Sequence, residues 1–341
     1  MNDKEKQAVL DKLEAKYVNL ASPRFGTEVV FATDDFFAAK ERLIQDHAPV
    51  WKQDVYDDHG KWMDGWESRR RRDGGRDHAI VKLGSPGVIK GVNIDTAYFT
   101  GNYPPAASID ACLSDEMPGD DADWTEIVPP LSLGPSQQHV ALTDVSQPFN
   151  WIRLNMYPDG GIARLRLYGE PFCNWEERDP GQTYELSALK NGGRVVAFNN
   201  AHYGSTWALL AEGRGADMGD GWETRRRRTP GNDWIIVKLG TAGEIDEIEV
   251  DTAHFKGNYP DGCSIDAAFV EAGTDESVVT QSMFWQELMP RRALSADNIH
   301  RFAADDLNQI GPITHVRLNI YPDGGVSRLR LFGKRTKSVS K

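Results

Sequence analysis

Two short segments set a glutamate beside four consecutive arginines. Asp64–Arg72 reads DGWESRRRR, and Asp220–Arg228 reads DGWETRRRR. A planar guanidinium grips a carboxylate through two parallel, charge-assisted hydrogen bonds, so such a run suits capture of a small anion. Glu67 and Glu223 add groups that can give or take a proton. In an extended run, alternate residues face opposite sides. Glu67, Arg69 and Arg71 then share one side, and Ser68, Arg70 and Arg72 the other. One set would line a cleft while the other pairs with Asp64, Asp73 or Asp77. We assign the cleft to Arg69 and Arg71, with Arg225 and Arg227 in the second segment. The same runs also suit a solvated, ion-paired edge strand.

A second acid–base candidate is Asp34–Asp35, in VVFATDDFF. Two carboxylates facing one site repel, which raises one pKa toward neutrality. The weaker echo of this segment, VVAFNNAHY, sets Asn199 and Asn200 at that position, so the two copies differ in acid–base capacity. Asp34 and Asp35 equally suit the N-cap of a helix over 36–45. No His–Glu–x–x–His or Cys–x–x–Cys pattern occurs, and no cluster has zinc spacing. The sequence therefore calls for no metal or other cofactor, while leaving room for a divalent ion held loosely by carboxylates.

These segments belong to a duplication. DTAYFTGNYP (Asp95–Pro104) returns as DTAHFKGNYP (Asp251–Pro260), and RLNMYPDGGIARLRLYG (Arg153–Gly169) as RLNIYPDGGVSRLRLFG (Arg317–Gly333). A chain of 341 residues suits two domains of one fold, which we bound at 1–172 and 173–341. Each half is a series of short, β-branched or alternating runs separated by Gly, Pro, Asn and Asp, which predicts an all-β jelly-roll sandwich. Helix is predicted over 3–16, with shorter pieces at 36–45 and 205–211. YPDGG reads as the turn of a hairpin between two alternating strands, Trp151–Tyr157 and Ile162–Gly169. In the second strand Leu165 and Leu167 face the core. Asp159 and Asp323, at the turn tips, are weaker site candidates.

The net charge of −12 argues against a nucleic-acid-coating surface. No apolar run reaches the length of a membrane span, and the charged N-terminal segment lacks a signal core. Three cysteines without framework spacing suit reduced cytoplasmic thiols.

The order DGWE-S/T-RRRR, IVKLG, DTA-x-F-x-GNYP, YPDGG-x-x-RLRL-Y/F-G, occurring twice, resembles the allantoicase family over about residues 15–335. More distantly, each half is similar to the galactose-binding-like jelly rolls, a likeness of fold that implies no sugar ligand. The first resemblance implies that allantoate and water give ureidoglycolate and urea, by cleavage of a C–N bond at a carbon bearing two ureido groups. That chemistry needs a cation for the carboxylate, an acid for the departing nitrogen and a base for water. Asp34, Asp35, Glu67 and Glu223 are the acid–base candidates. Asn102 and Asn258 would bond ureido groups, and Tyr103 and Tyr259 would pack over them, although an Asn before a turn is also ordinary loop chemistry. The implied partner is this small ureide acid, with no nucleic acid or membrane; paired halves also suit a homo-oligomer. The alternative is a non-catalytic tandem jelly roll that binds a small ligand or carbohydrate.

Overall fold

The computed structural model describes residues 2–336. The chain divides into two compact units, Met1–Phe172 and Cys173–Lys341. The all-β expectation holds: among the described residues, α-helix is confined to Asp3–Lys16 and Asp275–Gln281.

Each unit is organised by one 19-residue strand, Asp77–Asp95 in the first and Asp233–Asp251 in the second. The first part of Asp77–Asp95 pairs with Glu28–Ala32 and Phe149–Tyr157. The latter extends to Ala106–Cys112 and then Thr125–Ser132. The later part of the long strand pairs with Arg164–Pro171 and Gln138–Leu142. One strand thus serves both layers of the sandwich. The passage between layers falls at GSPG, residues 84–87, where the register shifts. A β-carbon on Gly84 would lie 1.7 Å from the Phe25 carbonyl oxygen, so only glycine lets the chains meet there. Gly240 has the same contact, at 1.8 Å, with the Asn191 carbonyl.

Alternating residues from both layers fill the first core, among them Val81, Val92, Ile94, Ile109, Ile152, Leu154, Leu165 and Leu167. Each such aliphatic side chain contributes about 1.5–3 kcal/mol on burial. The helix Asp3–Lys16 spans the predicted residues. Its capping box joins Asn2 and Glu5, and it sets Leu10 and Leu13 against Val140 and Tyr168.

The predicted hairpin is not formed. Phe149–Tyr157 and Arg164–Pro171 pair with different parts of the long strand rather than with each other. YPDGG, which contains the cis Tyr157–Pro158 bond, carries the chain between layers. Its polar groups are satisfied elsewhere: the Gly161 N–H donates to the Asn102 carbonyl at 2.7 Å, and Gly161–Ile162 pairs with Trp66–Glu67. A β-carbon on Gly161 would press into the Phe99 ring at 2.0 Å. These glycines serve close packing, not a tight turn. The second unit repeats the arrangement with Ile313–Tyr321, Gly325–Val326 and Arg328–Arg335.

The two short helical pieces shrink to 3₁₀ turns, Lys40–Ile44 and Thr206–Leu210. In the first case Phe37 and Ala38 are held extended by backbone bonds to Glu67, so a helix cannot begin before them. Arg164, on the face opposite Leu165 and Leu167, is nevertheless 1% exposed and meets Asp64 at 2.7 Å; Arg328 meets Asp220 at 2.9 Å in the second unit. In the second unit the helix Asp275–Gln281 stands between the strands Gly262–Ala268 and Gln286–Ala293.

Candidate functional site

Glu67 ends a two-residue strand held on both sides. Its N–H donates to the Ala38 carbonyl at 3.1 Å, its carbonyl accepts from Ala38, and Gly161 lies opposite. The neighbouring Trp66 is fully buried, and its indole N–H donates to the Asp34 carbonyl at 2.8 Å. With the backbone fixed in this way, the Glu67 side chain projects half-buried into a cleft of about 540 Å³. That volume suits a small metabolite. Arg70, Asn102, Tyr103 and Asp159 share its wall. The Asn102 amide donates to Glu67 Oε1 at 2.6 Å. Burial pushes the Glu67 carboxyl above its ordinary value, and the hydrogen bond from Asn102 opposes part of that rise.

The arginine run is used in the opposite sense to the sequence expectation. Arg69 donates through Nε to Asp34 Oδ2 at 2.7 Å and through its N–H to Oδ1 at 2.9 Å. Arg71 is held by Asp73 and Asp77, at 2.6 and 2.9 Å, while its N–H donates to Asp159 at 2.8 Å. Arg71 borders the cleft, but its guanidinium is engaged with carboxylates of the chain itself. Arg70, exposed and without a carboxylate partner among the described residues, is the cation left for a ligand beside Glu67. The acceptors decide this register. Asp34 and Asp159 take the N–H groups of Arg69 and Arg71, and the side chains of those two residues follow. The proximity of Asp73 and Asp77 to Arg71 in the chain was a signal for this outcome.

Asp34 and Asp35 do not form the expected pair of repelling carboxylates. Burial raises the Asp34 pKa, but the hydrogen bonds from Arg69 outweigh it and hold the carboxyl below its ordinary value. Asp35 points to Lys40, at 3.7 Å. Neither caps a helix, since Ala39 occupies that position. Tyr103 packs against the core and forms part of the cleft wall.

The second unit repeats the constellation. Glu223 lies opposite Gly325 and between the backbone groups of Tyr203. Asn258 donates to its Oε1, and Tyr259 follows in the same loop. The Arg227 N–H donates to Asp323 at 2.7 Å, and its guanidinium meets Asp233 at 2.7 Å. Arg226 stands where Arg70 does, exposed and without a carboxylate partner among the described residues. The Asp34 counterpart is Asn200 alone: Trp222 donates to the Asn200 carbonyl and the Arg225 N–H to its side chain. Asn199 corresponds to Thr33, as the two segments taken residue by residue place it, so the expected match of Asn199 and Asn200 to Asp34 and Asp35 is one place out. Arg225, lacking a carboxylate here, donates through Nε to His202 Nδ1 at 3.1 Å.

His139 and His300, at equivalent places in the two units, are structural. His139 and His300 each bridge a backbone N–H and a backbone carbonyl. Among the described residues no group of three or more His, Cys, Asp or Glu is placed to hold a metal ion. No helix among them is long and apolar enough to cross a membrane.

The family model "Allantoicase repeat" matches residues 18–172 and again 184–336. A "Probable allantoicase" of Photobacterium profundum is 57% identical over 323 residues, covering 94% of this chain and 98% of its own. One from Stutzerimonas stutzeri is 55% identical, covering 94% and 97%. The crystal structure of allantoicase from Saccharomyces cerevisiae superposes with a TM-score of 0.79 at 35% identity, over 98% of both chains. With both repeats matched and nearly the full length covered, the chain belongs to the allantoicase family.

Proposed function

We propose that the protein hydrolyses allantoate to ureidoglycolate and urea in purine degradation, with the chemistry in the cleft around Glu67. The observation that carries the siting is the trio itself. A carboxyl raised by burial is held by an amide beside an unpaired guanidinium. The free guanidinium of Arg70 is suited to grip the substrate carboxylate in a bidentate pair. Asn102 keeps its amide carbonyl for a ureido N–H. Protonated Glu67 donates to the ureido nitrogen that departs, and the C–N bond breaks as the remaining ureido nitrogen feeds electron density to the central carbon. Water then adds to that carbon, and the Glu67 carboxylate takes the water's proton, restoring the starting state. One residue thus serves as acid and then base, so the Asp34–Asp35 pair is not required. Free thiols at Cys112, Cys173 and Cys263 support a reducing, cytosolic setting.

Urea release from allantoate by the purified chain is the test. Glu67→Gln keeps the Asn102 contact, so it should lower kcat by about 10²–10⁴-fold and leave the thermal unfolding midpoint nearly unchanged. Because the donor is the protonated form, kcat/KM should fall as pH rises through the raised Glu67 pKa, and Glu67→Gln should remove that limb. A wild-type chain that binds allantoate without releasing urea would leave a binding module instead.

A further inference from the structure

We infer that the second unit holds a separate binding site for the same class of small ureide carboxylate, built on Glu223, Asn258 and Arg226. The inference rests on the reading of the first site as an allantoate site. The two loci are held by the same contacts. Ser68 N–H donates to the Gly160 carbonyl at 3.1 Å, and Thr224 N–H to Gly324 at 3.0 Å. Arg71 and Arg227 are anchored by Asp159 and Asp323, so Arg70 and Arg226 leave the backbone at equivalent points. The Asn–Glu hydrogen bond recurs, from Asn258 Nδ2 to Glu223 Oε1.

The surroundings do not recur. Asp34 becomes Asn200, Arg69's carboxylate partner gives way to His202 for Arg225, and the Ala38 backbone position becomes Tyr203. The trio is therefore unchanged inside a rim that has changed. Folding gives little reason for that: a half-exposed polar contact and an exposed arginine contribute little to stability. Ligand capture does give a reason, because it needs an unpaired guanidinium beside a fixed carboxyl and amide. Here the rim also adds a guanidinium, Arg225, that no carboxylate of the chain neutralises among the described residues, which makes this locus the more cationic of the two.

The test uses the full chain with both glutamates changed, Glu67→Gln with Glu223→Gln, so that allantoate is held and not consumed. Calorimetric titration with allantoate should give two equivalents per chain. Adding Arg226→Gln should remove one, and adding Arg70→Gln instead should remove the other, with thermal unfolding unchanged in each. A single equivalent that Arg70→Gln abolishes and Arg226→Gln leaves intact would overturn the inference, as would no binding at all. Urea release by the wild-type chain is scored separately. If release persists while only one equivalent binds, the second site fails and the first stands; if release is absent, the reading of the first site fails.

Discussion

Arg164–Asp64 and Arg69–Asp34 are both ion pairs of the first unit, and the second unit treats them differently. The buried pair returns as Arg328–Asp220, with side chains at most 6% exposed. The rim pair does not return: Arg69, whose side chain is 63% exposed, keeps Asp34, whereas Arg225 faces Asn200 and His202. The difference follows from solvation. A buried charge without its partner is left uncompensated in a low dielectric, whereas an exposed one is returned to water at little cost. The Arg164–Asp64 position is therefore held by its burial while the Arg69–Asp34 position is free to vary, and a difference at the rim is where the two loci can diverge in ligand preference.

The largest effect should come from breaking what the two units share. Arg164→Met takes the guanidinium away from the buried Asp64 carboxylate, and Arg328→Met does the same to Asp220. Each should cost about 3–5 kcal/mol, read as a fall in the midpoint of chemical unfolding. Changing the partner as well, Asp64→Leu or Asp220→Leu, should recover most of the loss, because it removes the orphaned charge. A large loss in one unit and tolerance in the other would break the equivalence.

A smaller effect separates the units by pH. At matching cross-strand positions Lys82 lies opposite Trp151, and Lys238 opposite His315. Trp151 is buried and donates its indole N–H to the Ser114 carbonyl. His315 is equally buried, beside a cavity of about 770 Å³ that Arg194, Lys238 and Asp275 also line. Burial, with the Lys238 and Arg194 charges, pushes its pKa down from 6.5 to about 4, against which Asp275 acts weakly. The unfolded chain therefore takes up a proton near pH 6.5 that the folded chain refuses until about 4. Stability from this group is full above 6.5, declines between 6.5 and 4, and is level below. The loss should amount to about 2–3 kcal/mol and be confined to the second unit. His315→Gln should flatten that part of the pH–stability curve.

How much of this could be read from the sequence differs between scaffold and site for one physical reason. Strand content, the N-terminal helix and the inward placement of Leu165 and Leu167 depend on local alternation and capping, which a sequence displays. The path of YPDGG depends on which backbone groups come near it, and those belong to Asn102 and Trp66–Glu67, remote in the chain. The same holds for the arginines. Alternation groups Glu67 with Arg69 and Arg71, whereas the fold brings Glu67 and Arg70 to one cleft, because Asp34, Asp77 and Asp159, brought together only by folding, take Arg69 and Arg71. Glu67 and Asn102 were legible as candidates. Their hydrogen bond, and the freedom of Arg70 beside them, required the fold.

The smallest effect comes from exchanging the rims. Asp34→Asn converts the first locus to the charge state of the second and releases the Arg69 guanidinium beside Arg70. The Asp34–Arg69 pair is largely exposed on the arginine side, so its loss should cost under about 1 kcal/mol of stability. An added unpaired cation should favour an anionic substrate, lowering KM by about two- to three-fold at low salt. The advantage should fade as added salt shortens the screening length from about 10 Å at 0.1 M toward 3 Å at 1 M. The acid limb supplies an independent reading. The wild-type Asp34 carboxyl, held below its ordinary value, contributes stability above the unfolded carboxylate pKa and loses it as pH falls through its own lower value. Asp34→Asn should lack that decline. Asn200→Asp is the converse change: it gives Arg225 a carboxylate, frees it from His202 and should weaken allantoate at the second locus most at low salt. A KM for Asp34→Asn that is unchanged at every salt concentration would mean that Arg69 is outside the ligand's field, leaving Arg70 to grip the substrate carboxylate.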